Sequence, residues 1–285
     1  MVELFGRIET AEIGQAGTNS ADIRSLLAAP GLDVESRTRL LETDDGRLHG
    51  FVALHPAPQP GQLRAHIMVD PEAAADTAQV LFGQLDEWVA ADAPSGTPVT
   101  TFQFPHCLLH DQLAARGWAI VHSYTRLTVD LRVDESAKPS SGIRLRAAAS
   151  VADQQEIHAV LEDAIAGHWN HQRRGFEEFD RDQRRREGYD PGLWWLAEVD
   201  GVSAGAVIAR DPAGRAWIAW LGVLDRFRGR GIAKLLLRNA FDQLRERGHE
   251  TVGVDVDTHN ATGAVGVYRA AGMSVLGRAD QWQKS

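Results

Sequence analysis

The sequence predicts an α/β protein with α+β mixed sheets: two tandem domains, each a central mixed β-sheet flanked by helices. Length is the first of three observations behind this, since 285 residues suffice for two modest cores. The second is an internal repeat. Asp45-Gly46, Gly50, Val69 and Gly117 match Asp200-Gly201, Gly205, Val223 and Gly272 at offsets of 155, 155, 154 and 155 residues (201 − 46, 205 − 50, 223 − 69, 272 − 117). The third is the run from Trp217 to Ala233, where an apolar strand, a basic Gly-rich loop and the start of a helix follow one another directly.

Each half reads as a strand, a turn at Asp-Gly, a Gly-containing strand, a second apolar strand, a helix, and a closing hairpin after Gly117 or Gly272. The first domain is expected over 1–133 and the second over 142–285. Between them, the Asp-Glu-Ser-Ala-Lys-Pro-Ser-Ser run within Arg132 to Gly142 has linker composition. In the second half Ile232, Leu235, Leu236, Ala240 and Leu244 recur at helical spacing, and Gly248 supplies a stop after Arg245 and Arg247. Thr251 to Thr258 alternates, with Val252, Val254 and Val256 on one face and Asp255 and Asp257 on the other, so it is a strand with one polar face. A last helix is expected from Asn260 to near Gly272, which would set Asn260 and Tyr268 on broadly one side of it.

The loop is built for an anion. Gly229 and Gly231 allow a tight turn and close approach of the backbone, and the first free N–H groups of the helix from Ile232 aim their positive dipole end at the same spot. Arg226, Arg228, Arg230 and Lys234 surround it with cations. A Walker loop would need Lys-Ser or Lys-Thr after the glycines, and neither pair is present. A dinucleotide fingerprint would need a small residue where Lys234 stands.

The remaining pattern, R-x-x-G-x-G in Arg226-Phe-Arg-Gly229-Arg-Gly231, resembles the pyrophosphate loop of the GNAT superfamily of acyl-CoA-dependent N-acyltransferases. Strand, loop, helix, strand, helix is also that family's core order. The resemblance implies acetyl-CoA as co-substrate, held by Leu221, Gly222 and Val223 and by Arg228, Gly229, Arg230, Gly231, Ile232, Ala233 and Lys234. It further implies that Asn260 bonds the pantetheine arm and that Tyr268 faces the sulfur as proton donor to the departing thiolate. Many members carry a Glu on the strand four residues before the pantetheine-binding segment. Here that position is Trp217, which leaves the base open among Asp255, Asp257, Glu198 and a water relay.

The halves differ chemically. Projected back by 154 residues, the loop falls on Glu72-Ala-Ala-Ala-Asp76-Thr77, which lacks glycine and sets carboxylates where phosphates would lie. Tyr268 and Asn260 project onto Leu113 and Pro105. The first domain is therefore expected to be degenerate, a scaffold or a wall of the acceptor cleft. The segment from Ala166 to Phe179 resembles a region of mycothiol synthase and its tandem relatives that covers that cleft. His168, Trp169, Glu177 and Glu178 are thereby implied on the substrate side, with Asp255 and Asp257 from the polar strand face, whereas by residue type alone Trp169, Phe176 and Phe179 read as packing residues. His168 and His171 are three apart but no third ligand is near, so no metal is expected.

A formal net charge of −9 argues against nucleic acid as a main partner. One cysteine, Cys107, excludes an intramolecular disulfide; with no signal-like start and no membrane span, a cytoplasmic monomer or homodimer is expected. Two functional classes stay open. One is an N-acetyltransferase moving acetyl from acetyl-CoA to a primary amine of a small molecule or peptide by direct attack in a ternary complex. The other is a non-catalytic acyl-CoA sensor.

Overall fold

A computed structural model describes all residues except 58, 74, 106, 133–141, 168–170, 187, 212–215 and 259–262. In chain order the elements are α1 (Val2–Ile13), α2 (Ser20–Leu27), α3 (Val34–Arg37), β1 (Thr38–Glu42), β2 (Leu48–Pro56), β3 (Leu63–Val69), α4 (Ala75–Asp92), β4 (Val99–Gln103), α5 (Leu109–Ala115) and β5 (Ala119–Asp130). Then come β6 (Ile143–Ala147), α6 (Val151–Ala164), α7 (Phe176–Arg185), β7 (Trp194–Val199), β8 (Val202–Arg210), β9 (Ala216–Val223), α8 (Ile232–Glu246), β10 (Thr251–Asp257), α9 (Ala264–Ala270) and β11 (Ser274–Lys284). The chain forms two compact units. Unit 1 is Met1–Tyr124 with Gly277–Ser285, and unit 2 is Thr125–Leu276. The sequence put the division in a linker at 133–142; the units instead divide inside β5 and β11. The chain end goes with unit 1 because Asp280 to Lys284 pair antiparallel with Gln103 to Val99.

In unit 1 the strand order is β1-β2-β3-β4-β11, with only the β3–β4 pair parallel. Alternation along β3 splits its side chains between two layers. Ala65, Ile67 and Val69 meet Leu81, Phe82 and Leu85 of α4, while Met68 joins Phe51 and Ala53 under Leu4 and Ile8 of α1.

In unit 2 the order is β5-β10-β9-β8-β7-β6, with β9 and β10 parallel. Helices cover both faces, so β8 reads as a continuous apolar run. Val207 and Ala209 face the cluster with Leu236, Leu237, Ala240 and Phe241 of α8; Ala206 and Ile208 face Ile157, Val160 and Leu161 of α6 and Phe179 of α7. A reciprocal cap, Ser150 with Asp153, starts α6.

The repeat seen in sequence is a repeat of register. Gly50 pairs with Val69 and Gly205 with Val223. A Cβ on Gly50 would stand 3.1 Å from Thr77 and Leu81 of α4, and one on Gly205 would stand 2.8 Å from the Gly222 carbonyl and 3.3 Å from Ile232 of α8. Each glycine lets the following helix settle on its sheet. The expected closing hairpins are not formed: β5 and β11 are single strands of 12 and 11 residues. Within β11 Gly277 marks close approach rather than a turn, since a Cβ there would lie 2.6 Å from Ile13.

Candidate active site

Pairing between β9 and β10 is confined to Ala216 with Val252 and Trp217 with Gly253. Beyond Trp217 the two strands carry no described pairing, so β9 has an open edge inside the sheet. Just there β9 bulges: Ile218 and Trp220 face the consecutive residues Ala209 and Ile208, leaving Ala219 as the extra residue. Such a bulge turns backbone groups away from the ladder. The edge continues through Leu221, Gly222 and Val223, whose other side stays paired to β8. Gly222 is required by the helix beneath it, because a Cβ would sit 2.7 Å from that of Ala164.

The cradle follows directly. Asp225–Phe227 make one 3₁₀ turn, Gly229 and Gly231 take φ of +76° and +78°, and Gly231 caps α8 with no side-chain cap, leaving the first N–H groups of α8 free for a ligand. No atom lies within 4 Å of where a Cβ on either glycine would stand, so the concavity is open. Ile232 is buried as the helix's first core anchor, Ala233 is half-buried, and Arg230 and Lys234 are exposed at the rim. Arg228 acts as a brace, because its Nε donates to the Val223 carbonyl at 3.2 Å and it pairs with Asp225 at 2.8 Å. Its guanidinium thus ties the loop to the end of β9. Arg226 and Arg230 both stack on one residue, Phe227, at 5.0 and 5.5 Å.

Tyr268 lies on α9 and is 7% exposed within the core that also holds Leu236 and Val256. Burial pushes its phenol above the ordinary tyrosine value, so it carries its proton throughout the neutral range. The helix is shorter than expected. Gly263 at φ +70° caps it, so α9 begins at Ala264; Asn260 lies outside the described residues, as do His168 and Trp169.

The three base candidates are on strands. Asp255 accepts both Nε and Nη2 of Arg126 at 2.8 and 2.9 Å, and the same guanidinium lies 5.4 Å from the Trp217 ring. Glu198 accepts from Arg146 Nε at 3.0 Å. Asp257 is half-buried at the end of β10. Glu177 and Glu178 are exposed in the first turn of α7, whose arginines make i,i+4 pairs, Arg184 with Asp180 and Arg186 with Asp182.

One polar cluster escaped the sequence reading. Glu162 of α6, 4% exposed, accepts from His171 Nε2 at 3.1 Å and lies 3.6 Å from His158 Nε2. It also receives the Arg174 N–H at 3.4 Å. A buried carboxylate so placed pins the segment before α7 onto α6. Burial holds His158 below the usual histidine value. The available signal was a His and a Glu four apart on one helical face among Ile157, Val160 and Leu161. Among the described residues no group of three or more His, Cys, Asp or Glu is arranged to hold a metal.

Unit 1 repeats the geometry with different groups. Its parallel pairing is likewise limited to two pairs, Leu63 with Val99 and Arg64 with Thr100. The open edge is bridged: Gln103 of β4, 6% exposed, donates Nε2 to the Ile67 carbonyl at 3.0 Å. Where the cradle would begin, Asp70 is 1% exposed and accepts from Arg7 at 2.8 Å and Arg47 at 3.0 Å, with Glu72 on Arg47 at 2.9 Å.

Residues 157–273 match the model of the acetyltransferase (GNAT) family. This segment is a GNAT acetyltransferase domain. Over most of its length the chain is similar to two relatives named mycothiol acetyltransferase. One, from Mycolicibacterium vanbaalenii, is 28% identical over 85% of this chain and 81% of the relative; the other, from Mycolicibacterium smegmatis, is 28% identical over 92% and 94%. Among solved structures, a GCN5-related N-acetyltransferase from Sphaerobacter thermophilus superimposes with a TM-score of 0.83 at 24% identity, covering 99% of this chain and 90% of that one. A tandem GNAT protein from the clavulanic acid biosynthesis pathway gives 0.69 at 18% identity, covering 99% and 93%. The fold is thus that of tandem GNAT proteins, and the GNAT match over residues 157–273 supports an acyltransferase over a non-catalytic sensor. No helix among the described residues is long and apolar enough to cross a membrane.

Proposed function

We propose that unit 2 transfers an acetyl group from acetyl-CoA to a primary amine of a small molecule by direct attack, and that unit 1 holds no cofactor. The observation carrying this is the open edge of β9 running straight into a glycine-lined helix N-terminus. Acetyl-CoA supplies a thioester-activated acetyl group and a pyrophosphate. The Gly229–Gly231 backbone and the first N–H groups of α8 take the pyrophosphate. Backbone groups of Leu221 to Val223 take the pantetheine arm as an added strand would and orient the acyl carbonyl. The amine nitrogen forms its bond to the acyl carbon, the carbon–sulfur bond breaks, and Tyr268 gives its proton to the sulfur; the amine's excess proton leaves through water or Asp257. Direct attack is favoured because the chain's single thiol, Cys107, is pushed up to about 11 by burial and stays protonated. Arg126 holds Asp255 too firmly for it to serve as base. A small acceptor fits the relatives' name, mycothiol acetyltransferase.

In unit 1 the Gln103 amide occupies the strand edge and Asp70 and Glu72 the phosphate position. Calorimetry with CoA should therefore give one site per chain, abolished by Gly231→Glu; two equivalent sites refute the asymmetry. Tyr268→Phe should keep CoA affinity and lower kcat by about 10²-fold, the low end of general acid catalysis for a good leaving group. Wild-type turnover in that variant, measured as thiol release with a chemistry-limited amine, removes Tyr268 from the reaction.

A further inference from the structure

Arg64 stands in unit 1 where Trp217 stands in unit 2, each closing a two-residue parallel pairing (Arg64 with Thr100, Trp217 with Gly253). Its surroundings are unusual for a half-buried guanidinium. Nε donates to Thr100 Oγ1 at 3.1 Å, which itself donates to the Leu63 carbonyl at 3.2 Å, and the guanidinium lies 4.6 Å from the centroid of Phe102. Among the described residues no carboxylate pairs with Arg64, and its terminal N–H groups have no hydrogen-bond partner. A half-buried cation without a counter-ion keeps part of its desolvation cost, which an anion would offset.

The same face carries His55, the cross-strand partner of Arg64, and His66. Their rings stack at 5.2 Å with Nε2 atoms 3.0 Å apart, and His55 Nδ1 lies 2.8 Å from the Pro56 carbonyl. A carbonyl only accepts, so His55 Nδ1 bears the proton, His55 Nε2 accepts, and His66 Nε2 donates. Burial and the charge of Arg64 hold both rings below the ordinary histidine value, His66 at about 3, so both are neutral at pH 7. Phe102 lies tilted against Tyr124 at 5.7 Å, which adds an aromatic wall. The patch carries one positive charge and no negative one, in a chain whose formal net charge is −9.

We propose that this face of unit 1 is a binding site for a monocarboxylate, held by the two terminal N–H groups of Arg64 as a planar fork. One net positive charge with two neutral imidazoles matches a monoanion rather than a phosphate dianion, and the fork matches the two oxygens of a carboxylate. Phe102, with its ring 4.6 Å from the guanidinium, restricts the orientation of that fork. The proposal concerns unit 1 alone and is independent of the acyl-transfer reading.

The test is a titration of the full chain, labelled with ¹⁵N-histidine, with sodium acetate and then sodium benzoate at constant ionic strength set by chloride. Saturable shifts confined to the His55 and His66 ring signals, and weakened by about tenfold or more in Arg64→Met, are expected for loss of a charge-assisted fork. Arg64→Lys should fall between the two. An absent or non-saturating response in the wild type, or equal affinity in Arg64→Met, overturns the site. Inorganic phosphate at pH 8 binding more tightly than acetate overturns the carboxylate assignment. Should Arg64→Met fail to fold, the wild-type shifts decide: changes at histidines other than 55 and 66 refute the location.

Discussion

Gly253→Ala is the sharpest structural test of the cleft floor. A Cβ at this position would stand 2.2 Å from Cζ3, 2.6 Å from Cε3 and 3.1 Å from Cη2 of Trp217. Carbon atoms pack at roughly 3.5–4.0 Å, so the ring must retreat by about 1.5 Å. Its retreat is resisted on one side. Arg126 lies against it at 5.4 Å, and Arg126 is fixed in turn by its two bonds to Asp255. Overpacking of this kind costs about 1–3 kcal/mol; part of the ring is at the surface and can yield, which points to about 2 kcal/mol and a melting shift of about 4–8 °C for a unit of this size. Acetyl transfer should fall further than stability does, because the ring's shift also disturbs the opening between β9 and β10 that the proposed function uses. The decisive assay is a double-mutant cycle by thermal and urea unfolding. On a Trp217→Ala background the new methyl meets no ring, so Gly253→Ala should cost close to nothing and the coupling should equal the single-mutant penalty. Additive costs would refute the contact as the cause.

Three further outcomes are expected. The folded chain holds His66 at about 3 against an ordinary 6.5, so the unfolded state binds the extra proton between those values and stability is lost as pH falls below 6.5; at pH 5 the loss is about 2 kcal/mol. Urea midpoints at pH 7 and 5 check this, and a pH response unchanged in His66→Gln would contradict it. Replacing Arg230 or Lys234 by Ala should weaken CoA more than dephospho-CoA if these rim cations reach the 3′-phosphate, and equal losses would exclude that contact. Glu162→Gln should raise KM for the acceptor several-fold with CoA affinity unchanged, since it loosens the segment ahead of α7 while leaving the cradle alone; an unchanged KM would make Glu162 purely a core residue.

What the sequence revealed was local. The cradle is legible because Gly229 and Gly231 dictate backbone conformation within a few residues of Arg226, and the repeat because Gly50 and Gly205 answer to the same helix packing. The groups around the cleft were hidden by separation along the chain. Arg126 meets Asp255 across 129 residues, and Gln103 reaches Ile67 across 36. Nothing in either neighbourhood advertises those partners. The hairpin expected after Gly272 failed for a related reason: Gly277, inside β11, is small because of Ile13, far away in sequence. Similarly, Gly263 ends the helix that helical spacing alone carried back to Asn260.

The two halves show how a repeated backbone can be turned to different chemistry by few side chains. Each places a two-residue parallel pairing at the mouth of an opening between strands, and each follows it with a helix seated on a glycine. In unit 2 the edge past Trp217 is left unpaired, and the backbone N–H and C=O groups there need a partner. A ligand that runs along the strand and ends in phosphates satisfies both that edge and the free N–H groups of α8. In unit 1 the same need is met from within, by the Gln103 amide at the Ile67 carbonyl and by Asp70 receiving two arginines. With those groups satisfied internally, the edge has less need of a ligand, which supports the proposal that unit 1 holds no cofactor. In that half the terminal N–H groups of half-buried Arg64 have no internal hydrogen-bond partner among the described residues, which is why a ligand of unit 1 should be sought there rather than at the sealed cradle.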